Sequence, residues 1–274
     1  MELDSPAVRH AIDWLATRAL PAFGVALLLL VLSICAAWRL VQRYGVHRET
    51  SRFAPQGFLV VYMLLGFGLI TSAAALFAEI AENLGDGRQL GQLDVLFSDT
   101  VQATLPGAAV QVFALLTHLG DPLTLSVLGG AVALALLWQS RYWLCAGWVL
   151  AIGGNAVLNP VLKNIFQRAR PLHEAGQAFA SGWSFPSGHA SSAVVVYGML
   201  AYVLVRWLPL RYAAARLPVL ALAAALAFTV GCSRVFIRVH FPSDVLAGFA
   251  SGTVWLAVCI AAVEAARYRY VRRG

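Results

Sequence analysis

Three short groups of polar residues interrupt an otherwise apolar chain, and their residue types suit chemistry on a phosphate. The groups are Lys163, Arg170 and Pro171, then Pro186-Ser187-Gly188-His189, then Ser233, Arg234, His240 and Asp244. Cations that converge on one place repel each other unless an anion neutralises them. The forks of Arg and the point charge of Lys match the geometry of a phosphate. The pattern therefore predicts a phosphate-binding site.

The two histidines of these groups supply reactive atoms. His240 lies four residues before Asp244, so the carboxylate can orient the imidazole and keep it nucleophilic or basic. His189 can donate a proton to a leaving oxygen from the other wall of the site. Ser187 and Gly188 open a predicted helix whose N-terminus offers N–H donors to an anion, and the glycine lets the backbone approach an oxyanion closely.

The acidic residues of the sequence form no cluster that could hold a divalent metal ion. We therefore expect Lys and Arg side chains to neutralise the phosphate, with no metal ion and no other cofactor. The chemistry that these residues predict is a metal-independent phosphoryl transfer.

The spacing of the groups closely resembles the three-part signature of the type 2 phosphatidic acid phosphatase superfamily. The matching positions are Lys163-x6-Arg170-Pro171, Pro186-Ser187-Gly188-His189 and Ser233-Arg234-x5-His240-x3-Asp244. The resemblance covers about residues 93–263. It implies that His240 is the nucleophile that forms a phosphohistidine, that Asp244 orients it, and that His189 protonates the leaving group. It also implies a phosphate clamp made of Lys163, Arg170, Arg234, Ser187 and Gly188.

Several polar residues near the signature have a simpler interpretation. Arg168 and Arg238 lie outside the fixed positions, and we expect them to be solvated loop charges. His118 has no partner at a recognisable spacing and is expected at the surface. Asn155 and Asn159 lie within an apolar segment, where packing between helices is favoured over lining the site.

The elements that must position these residues are membrane helices. Of the 274 residues, 60% are hydrophobic and 12% are charged, with a mean hydropathy of +0.73, whereas about 25% of the residues of a soluble domain are charged. A water-soluble globule of this size could not bury so much apolar surface, so lipid surrounds most of the chain. This excludes soluble enzymes and nucleic-acid modules. The four cysteines lie within apolar runs and are interpreted as small hydrophobic residues.

Seven apolar segments are long enough, or nearly long enough, to span a bilayer. They are residues 20–38, 57–77, 122–138, 143–162, 190–205, 217–235 and 245–263. The sequence therefore predicts an all-α fold, a polytopic membrane helix bundle. By the resemblance, segments two to seven form a six-helix phosphatase core. The first is an extra N-terminal transmembrane helix, which divides the chain into residues 1–56 and 57–274.

Basic residues are concentrated in the loops on one side of these segments. Those loops contain Arg39, Arg43, Arg48, Arg52, Arg141, Arg206, Arg211, Arg216, Arg267, Arg269, Arg272 and Arg273. By the positive-inside rule that side is cytoplasmic. The rule places the C-terminus in the cytoplasm, and the N-terminus and all three signature groups on the extracytoplasmic side of the cell membrane.

A further helix is predicted between the second and third segments. Leu90, Leu93, Phe97, Val101 and Thr104 fall on one helical stripe, which Pro106-Gly107 ends. This helix either lies in the membrane interface or packs on the bundle as an ordinary surface helix. A site at the membrane surface beside it would suit a substrate that arrives from the bilayer.

The sequence thus predicts an integral membrane phosphatase that acts on a lipid phosphate or lipid diphosphate at the extracytoplasmic face. Its partners would be that lipid and the bilayer, with no nucleic acid. Candidate substrates are a polyprenyl diphosphate such as undecaprenyl diphosphate, phosphatidylglycerophosphate and phosphatidic acid. Two alternatives stay open: a lipid phosphotransferase that uses the same phosphohistidine and, from a different class, an anion or phosphate transporter. A related branch of the superfamily holds vanadate in this pocket for haloperoxidation. We rank this function lower, since the proteins of that branch are similar to soluble proteins. The oligomeric state also stays open.

Overall fold

Ten α-helices account for most of the chain in the structure, a computed structural model that describes residues 6–45, 55–84, 88–171 and 182–271. They are α1 (Pro6–Thr17), α2 (Ala19–Leu40), α3 (Pro55–Glu82), α4 (Gln89–Thr104), α5 (Gly107–Leu116), α6 (Pro122–Trp138), α7 (Tyr142–Phe166), α8 (Gly188–Trp207), α9 (Arg216–Phe236) and α10 (Pro242–Val271). These four ranges contain no β-strand, and the predicted all-α fold class is confirmed.

Within the same ranges, six helical stretches are long and apolar enough to cross a membrane. They are Ala19–Arg43, Met63–Glu82, Tyr142–Phe166, Gly188–Trp207, Arg211–Phe236 and Pro242–Tyr268. Helix α6 is also apolar but has only 17 residues, which is about 26 Å and shorter than the roughly 30 Å of a hydrocarbon core. Helices α4 and α5 meet at an angle of 116°, at the predicted break. The predicted multi-pass membrane bundle is confirmed.

Local sequence signals set the ends of the helices that carry the signature. Pro122 and Pro242 occupy the first positions of α6 and α10, where a missing N–H leaves no hydrogen bond unmade. Ser187 caps α8, and its Oγ accepts a hydrogen bond from the N–H of Ala190 at 3.4 Å. Helix α7 ends at Phe166, and the next residue, Gln167, has the left-handed conformation (φ 45°) that often follows a helix.

Helix α8 is central and packs against α7, α9 and α10. Two glycines let α10 come close to it. A Cβ atom at Gly248 would lie 2.6 Å from the carbonyl oxygen of Ser187, and one at Gly252 would lie 2.8 Å from that of Ser191. Such small residues allow membrane helices to pack backbone against backbone. This packing holds the N-terminus of α10 against that of α8 and so brings the second and third signature groups together.

The two N-terminal helices attach to the outside of the bundle. Helix α2 packs along α9, where the ring centroids of Phe23 and Phe236 lie 5.8 Å apart. Helix α1, which no sequence pattern predicted, lies on α4 and donates a hydrogen bond from Arg9 to Gln92 at 3.2 Å. The domain boundary after residue 56 stays a prediction.

Helix α4 packs on α1, α9 and α10, in agreement with one of the two predicted alternatives. Leu90, Phe97 and Val101 of the predicted stripe pack into buried clusters. Thr104 at the end of the stripe is exposed, however, and Asp94, outside the stripe, is buried. The inner face of α4 is therefore partly polar, and periodicity of apolar residues alone could not locate it.

The signature residues and the basic loops lie at opposite ends of the bundle. His189 begins α8 and Arg206 lies near its end, a separation of about 26 Å at 1.5 Å per residue. Arg206 pairs with Glu264 on α10 at 3.3 Å. Four of the predicted cytoplasmic residues lie outside the described ranges: Arg48, Arg52, Arg272 and Arg273. Which end faces the cytoplasm stays a prediction.

Candidate active site

The eight predicted site residues all lie at one end of the bundle. Lys163 is near the C-terminus of α7, and Arg170 follows that helix. The first residues of α8 and its cap are Ser187, Gly188 and His189. Arg234 is near the C-terminus of α9, His240 is in the turn after it, and Asp244 is in the first turn of α10. Consecutive antiparallel helices put the C-terminus of one beside the N-terminus of the next. The fold thus assembles residues that are up to 81 positions apart in the sequence.

His240 directs one ring nitrogen toward a carboxylate and the other toward a cation. Its Nδ1 lies 3.4 Å from Asp244 Oδ2, and its Nε2 lies 3.2 Å from Arg170 Nη1. Because a guanidinium only donates hydrogen bonds, Nε2 is the unprotonated nitrogen and Nδ1 carries the proton. Burial lowers the pKa of His240 to about 3, although the hydrogen bond to Asp244 acts in the opposite direction. The ring is therefore neutral at physiological pH, with a lone pair facing the cations.

Ser184, two residues before the second signature group, joins His240 to Asp244. Its Oγ lies 3.2 Å from His240 Nδ1, closer than the carboxylate, and its hydroxyl donates to Asp244 Oδ2. The side chain is fully buried. The hydroxyl can accept a hydrogen bond from the Nδ1–H of His240 while it donates one to Asp244, so it links the imidazole to the carboxylate. No residue pattern pointed to Ser184, because a serine in a loop is common and only its nearness to the signature singles it out.

The three predicted phosphate-binding cations are oriented by neutral oxygens. Lys163 Nζ donates to the carbonyl oxygen of Ser184 at 3.3 Å, and Arg170 donates to a backbone carbonyl at 2.6 Å. Arg234 is buried and donates to the hydroxyl of Thr117 at 2.8 Å. Neutral oxygens orient a cation without cancelling its charge. The arrangement is thus an electropositive pocket, preorganised for an anion.

His189 forms another wall of the site together with Asp121. The Asp121 carboxylate lies 2.9 Å from His189 Nε2 through Oδ1 and 2.6 Å from His118 Nδ1 through Oδ2. Burial tends to raise the pKa of Asp121, but the hydrogen bonds from the two histidines lower it overall. His118 is exposed as predicted, but the prediction that it has no partner was wrong. The spacing His118-x2-Asp121 at the start of α6 was the signal that could have revealed both residues.

Arg168 is not a solvated loop charge, and that prediction was wrong. Only 14% of its side chain is exposed. Its Nη1 donates to Asp244 Oδ1 and its Nη2 donates to Asp94 Oδ2, each at 2.7 Å. The left-handed conformation of Gln167 ends α7 immediately before this residue. Burial tends to lower the pKa of Arg168, but the two carboxylates raise it overall, and the guanidinium compensates both of them.

Asp94 on α4 completes this network. Its Oδ1 accepts the N–H of Ser243 at 3.1 Å, and its Oδ2 accepts the Ser243 hydroxyl. No sequence signal identified Asp94, because its partners follow it by 74 and 149 positions.

Arg238, the other predicted solvated charge, pairs with Asp99 at 3.8 Å and exposes only 18% of its side chain. The prediction of a solvated charge was therefore wrong here too.

Ser187 and Gly188 help to join the helices of the site. The N–H of Ser187 donates to the carbonyl oxygen of Asp244 at 2.9 Å, which ties α8 to α10. A Cβ atom at Gly188 would lie 3.0 Å from Asn159 Oδ1, so the glycine makes room for that amide. Contact of either residue with a phosphate stays a prediction.

A cavity of about 310 Å³ lies beside His189. Asn155 and Asn159 line it, and their amide groups donate to Ser192 and Ser191 at 3.0 and 3.1 Å. The two asparagines therefore both line a cavity of the site and join α7 to α8, where the sequence favoured packing alone.

Within the described part of the chain, no three His, Cys, Asp or Glu side chains are grouped so that they could hold a metal ion. Independence of metal ions nevertheless stays a prediction, which rests on the cations that surround the site.

The chain is similar to known lipid phosphatases. The sequence profile described as "PAP2 superfamily" matches residues 142–268. Phosphatidylglycerophosphatase B of Bacillus subtilis (strain 168) is 37% identical over 147 residues, which are 52% of this chain and 69% of that protein. A lipid A 1-phosphatase of Rhizobium etli is 30% identical over 195 residues, or 62% of this chain and 78% of the relative.

A solved structure shows the same architecture. The crystal structure of a transmembrane PAP2 type phosphatidylglycerolphosphate phosphatase from Bacillus subtilis superposes with a TM-score of 0.66 at 30% sequence identity. The match covers 71% of this chain and 96% of that protein. The fold of this chain thus occurs in an experimentally determined relative.

Proposed function

The chain belongs to the PAP2 superfamily and is a multi-pass membrane lipid phosphatase, and from this premise we propose how and where it acts. It transfers the phosphate of a lipid to His240 Nε2 and then to water, without a metal ion, at the extracytoplasmic face. The observation that carries the proposal is the buried, neutral His240, whose Nε2 faces Arg170 while Ser184 and Asp244 hold its Nδ1.

In the first step the Nε2 lone pair of His240 attacks phosphorus. An N–P bond forms, and the bond from phosphorus to the leaving oxygen breaks. Lys163, Arg170 and Arg234 bind the remaining phosphate oxygens and stabilise their charge. His189 gives its proton to the leaving oxygen. Asp121 orients the ring of His189 for this proton transfer, since its Oδ1 lies 2.9 Å from His189 Nε2.

In the second step water attacks the phosphohistidine. His189, now neutral, accepts a proton from the water as the N–P bond breaks, and inorganic phosphate leaves. His240 recovers its lone pair and His189 its proton, so the enzyme returns to its starting state. One histidine thus serves as acid and then as base, while the other carries the phosphate.

Ser184 and Arg168 keep the nucleophile in place during both steps. Ser184 fixes the tautomer of His240, since its hydroxyl accepts the Nδ1–H hydrogen bond and donates to Asp244. Arg168 keeps Asp244 ionised and stationary through a bond of 2.7 Å. These are positioning roles, because neither side chain needs to touch the substrate.

The extracytoplasmic location is supported by the position of the basic loops. The signature residues lie at one end of α8, and Arg206 lies near the other. By the positive-inside rule the end with the basic loops is cytoplasmic. A reporter fused after Gly274 should therefore be cytoplasmic and one inserted at Glu174 should be outside; the reverse result would overturn the orientation.

The mechanism is tested with purified protein in detergent and a panel of lipid phosphates. We expect phosphate release in excess chelator. His240→Ala should lose activity toward both the lipids and p-nitrophenyl phosphate, because every substrate needs the nucleophile. His189→Ala should lose activity toward lipids but still be phosphorylated by the nitrophenyl ester, whose leaving group needs no proton. The control is His10→Ala on α1, which should behave as wild type.

Trapping the intermediate gives the decisive result. In His189→Ala the phosphate should stay on the protein, be labile in acid and stable in base, and map to position 240. A label on Ser187, or activity that chelator abolishes and a divalent ion restores, would overturn the proposal.

A further inference from the structure

The cavity beside His189 lies where three helices meet. Its polar lining includes Ser126 from α6, Asn155 and Asn159 from α7, and Ser192 from α8. Its volume of about 310 Å³ is at the lower limit of roughly 300 Å³ for small-molecule pockets. The cavity is therefore large enough for the few atoms that adjoin a phosphate, and a lipid chain would continue outside it.

The polar lining runs from the phosphate site toward the middle of the bundle. Lys163, Asn159 and Asn155 are spaced four residues apart, so they share one face of α7 at steps of about 6 Å. Both asparagines are buried, with 8% and 4% of their surface exposed. Buried amides in a membrane helix are costly unless they are bonded. A purely apolar guest would leave their unused hydrogen-bonding groups without a partner.

These amides have capacity left for a guest. The side-chain NH₂ of Asn155 donates to Ser192 Oγ at 3.0 Å, and that of Asn159 donates to Ser191 Oγ at 3.1 Å. An asparagine has two N–H donors and a carbonyl oxygen with two lone pairs, so one such bond uses a part of its capacity. A remaining N–H can donate to a hydroxyl or ester oxygen of a substrate, and the carbonyl oxygen can accept a hydrogen bond from a substrate hydroxyl.

The charge of the cavity also restricts its guest. Among the described residues that line it, His189 is the one ionisable side chain. Leu125, Ile152 and Val196 supply apolar surface between the polar groups. Neutral amides and hydroxyls cannot compensate a second phosphate as Arg or Lys can. Most of the lining is apolar, with a few amide and hydroxyl groups within it, and it fits a neutral guest that combines carbon with hydroxyl or ester oxygens.

We propose that this cavity binds the first atoms of the leaving group and selects leaving groups that carry neutral hydroxyl or ester oxygens there. Glycerol and sugar phosphates have this chemistry, and phosphates of bare alkyl or prenyl chains do not. The inference rests on the proposed function, since it takes His189 as the acid beside the leaving oxygen. A site built to hydrogen-bond a substrate discriminates against an analogue that lacks the bonding group.

The test compares two single-chain monophosphates of similar length, 1-oleoyl lysophosphatidic acid and oleyl phosphate. The measured quantity is the ratio of their kcat/KM values. We expect wild type to prefer the glycerol substrate by about tenfold or more. Asn155→Leu, which replaces the amide by an apolar group of similar size, should lower the ratio about five- to tenfold, the value of one or two hydrogen bonds.

The control is Val157→Leu, two residues away on the exposed side of α7, which should keep the wild-type ratio. Should Asn155→Leu not fold, Ser126→Ala is the second variant, since Ser126 is exposed to the cavity, and it should lower the ratio in the same direction. Equal rates for the two lipids in wild type, or an unchanged ratio in both variants, would overturn the inference. Failure of the proposed function is distinct: wild type would then release phosphate from neither lipid, or His240→Ala would remain active.

Discussion

Replacing Arg168 by Met removes the one positive charge that lies directly between two buried carboxylates. The guanidinium donates to Asp244 and to Asp94, each at 2.7 Å, and to the Ser243 hydroxyl at 2.7 Å. Asp244 is fully buried and Asp94 exposes 4% of its surface. Methionine fills most of the volume of the side chain but offers no donor. The variant therefore leaves two negative charges close together in a region of low dielectric constant.

The size of the effect follows from burial. Removing one partner of a buried ion pair costs about 3–5 kcal/mol of unfolding free energy. An ion pair at the surface contributes about 1 kcal/mol or less. Arg238 is the matched control, because its side chain is buried to a similar extent but its ion-pair partner Asp99 is 3.8 Å away and 66% exposed, so that its replacement leaves no buried carboxylate without a counterion. We expect Arg168→Met to lose at least about 2 kcal/mol more than Arg238→Met.

The assay is denaturant unfolding in detergent, combined with kcat on lysophosphatidic acid. Arg168→Met should also lower kcat, since Asp244 is no longer held. Adding Asp94→Asn to Arg168→Met should recover part of the stability, because one uncompensated charge is removed, with a coupling of about 0.5–3 kcal/mol. Equal losses for the variants at positions 168 and 238, or strictly additive effects of the pair, would refute the reasoning.

Three further predictions concern the groups around His240. Ser184→Ala should lower kcat about ten- to hundredfold, since a hydrogen bond to a charged group is worth about 1.5–3 kcal/mol; Ser184→Thr should restore most of it, and an inactive Thr variant would argue against a hydroxyl relay. Lys163→Arg should lose at least about tenfold in kcat/KM, because a planar fork replaces a point charge; wild-type activity would reduce Lys163 to an anchor at the helix end. The pKa of His240 is about 3 in the folded state and about 6.5 in an unfolded chain. Between these two pH values the unfolded state binds more protons than the folded state. The free energy of unfolding therefore falls as the pH decreases from about 6.5 to about 3. His240→Gln should therefore lose less melting temperature than wild type between about pH 7 and pH 4, and an identical loss would contradict the assignment of a neutral histidine.

The sequence by itself determined the helical membrane fold and the reactive groups. Runs of about 20 apolar residues permit few structures besides membrane helices, because backbone groups in lipid must bond within their own segment. This signal is local, and the observed helices agree with it to within a few residues at most of their ends. The signature was also readable, since each of its groups occupies a short stretch of chain such as Pro186 to His189.

The tertiary structure alone decided which residues support that chemistry. Asp94, Ser184 and Arg168 carry no local pattern, and the partners of their side chains lie 56 to 149 positions away in the sequence. The sequence predicts a solvated charge at Arg168, whereas the fold places it between two buried carboxylates. The cavity beside His189 could not be predicted from the sequence either, because its polar lining comes from three helices. Burial and charge compensation at this site depend on which helix ends lie next to each other. Packing between distant segments decides that, and the linear order of residues does not specify it.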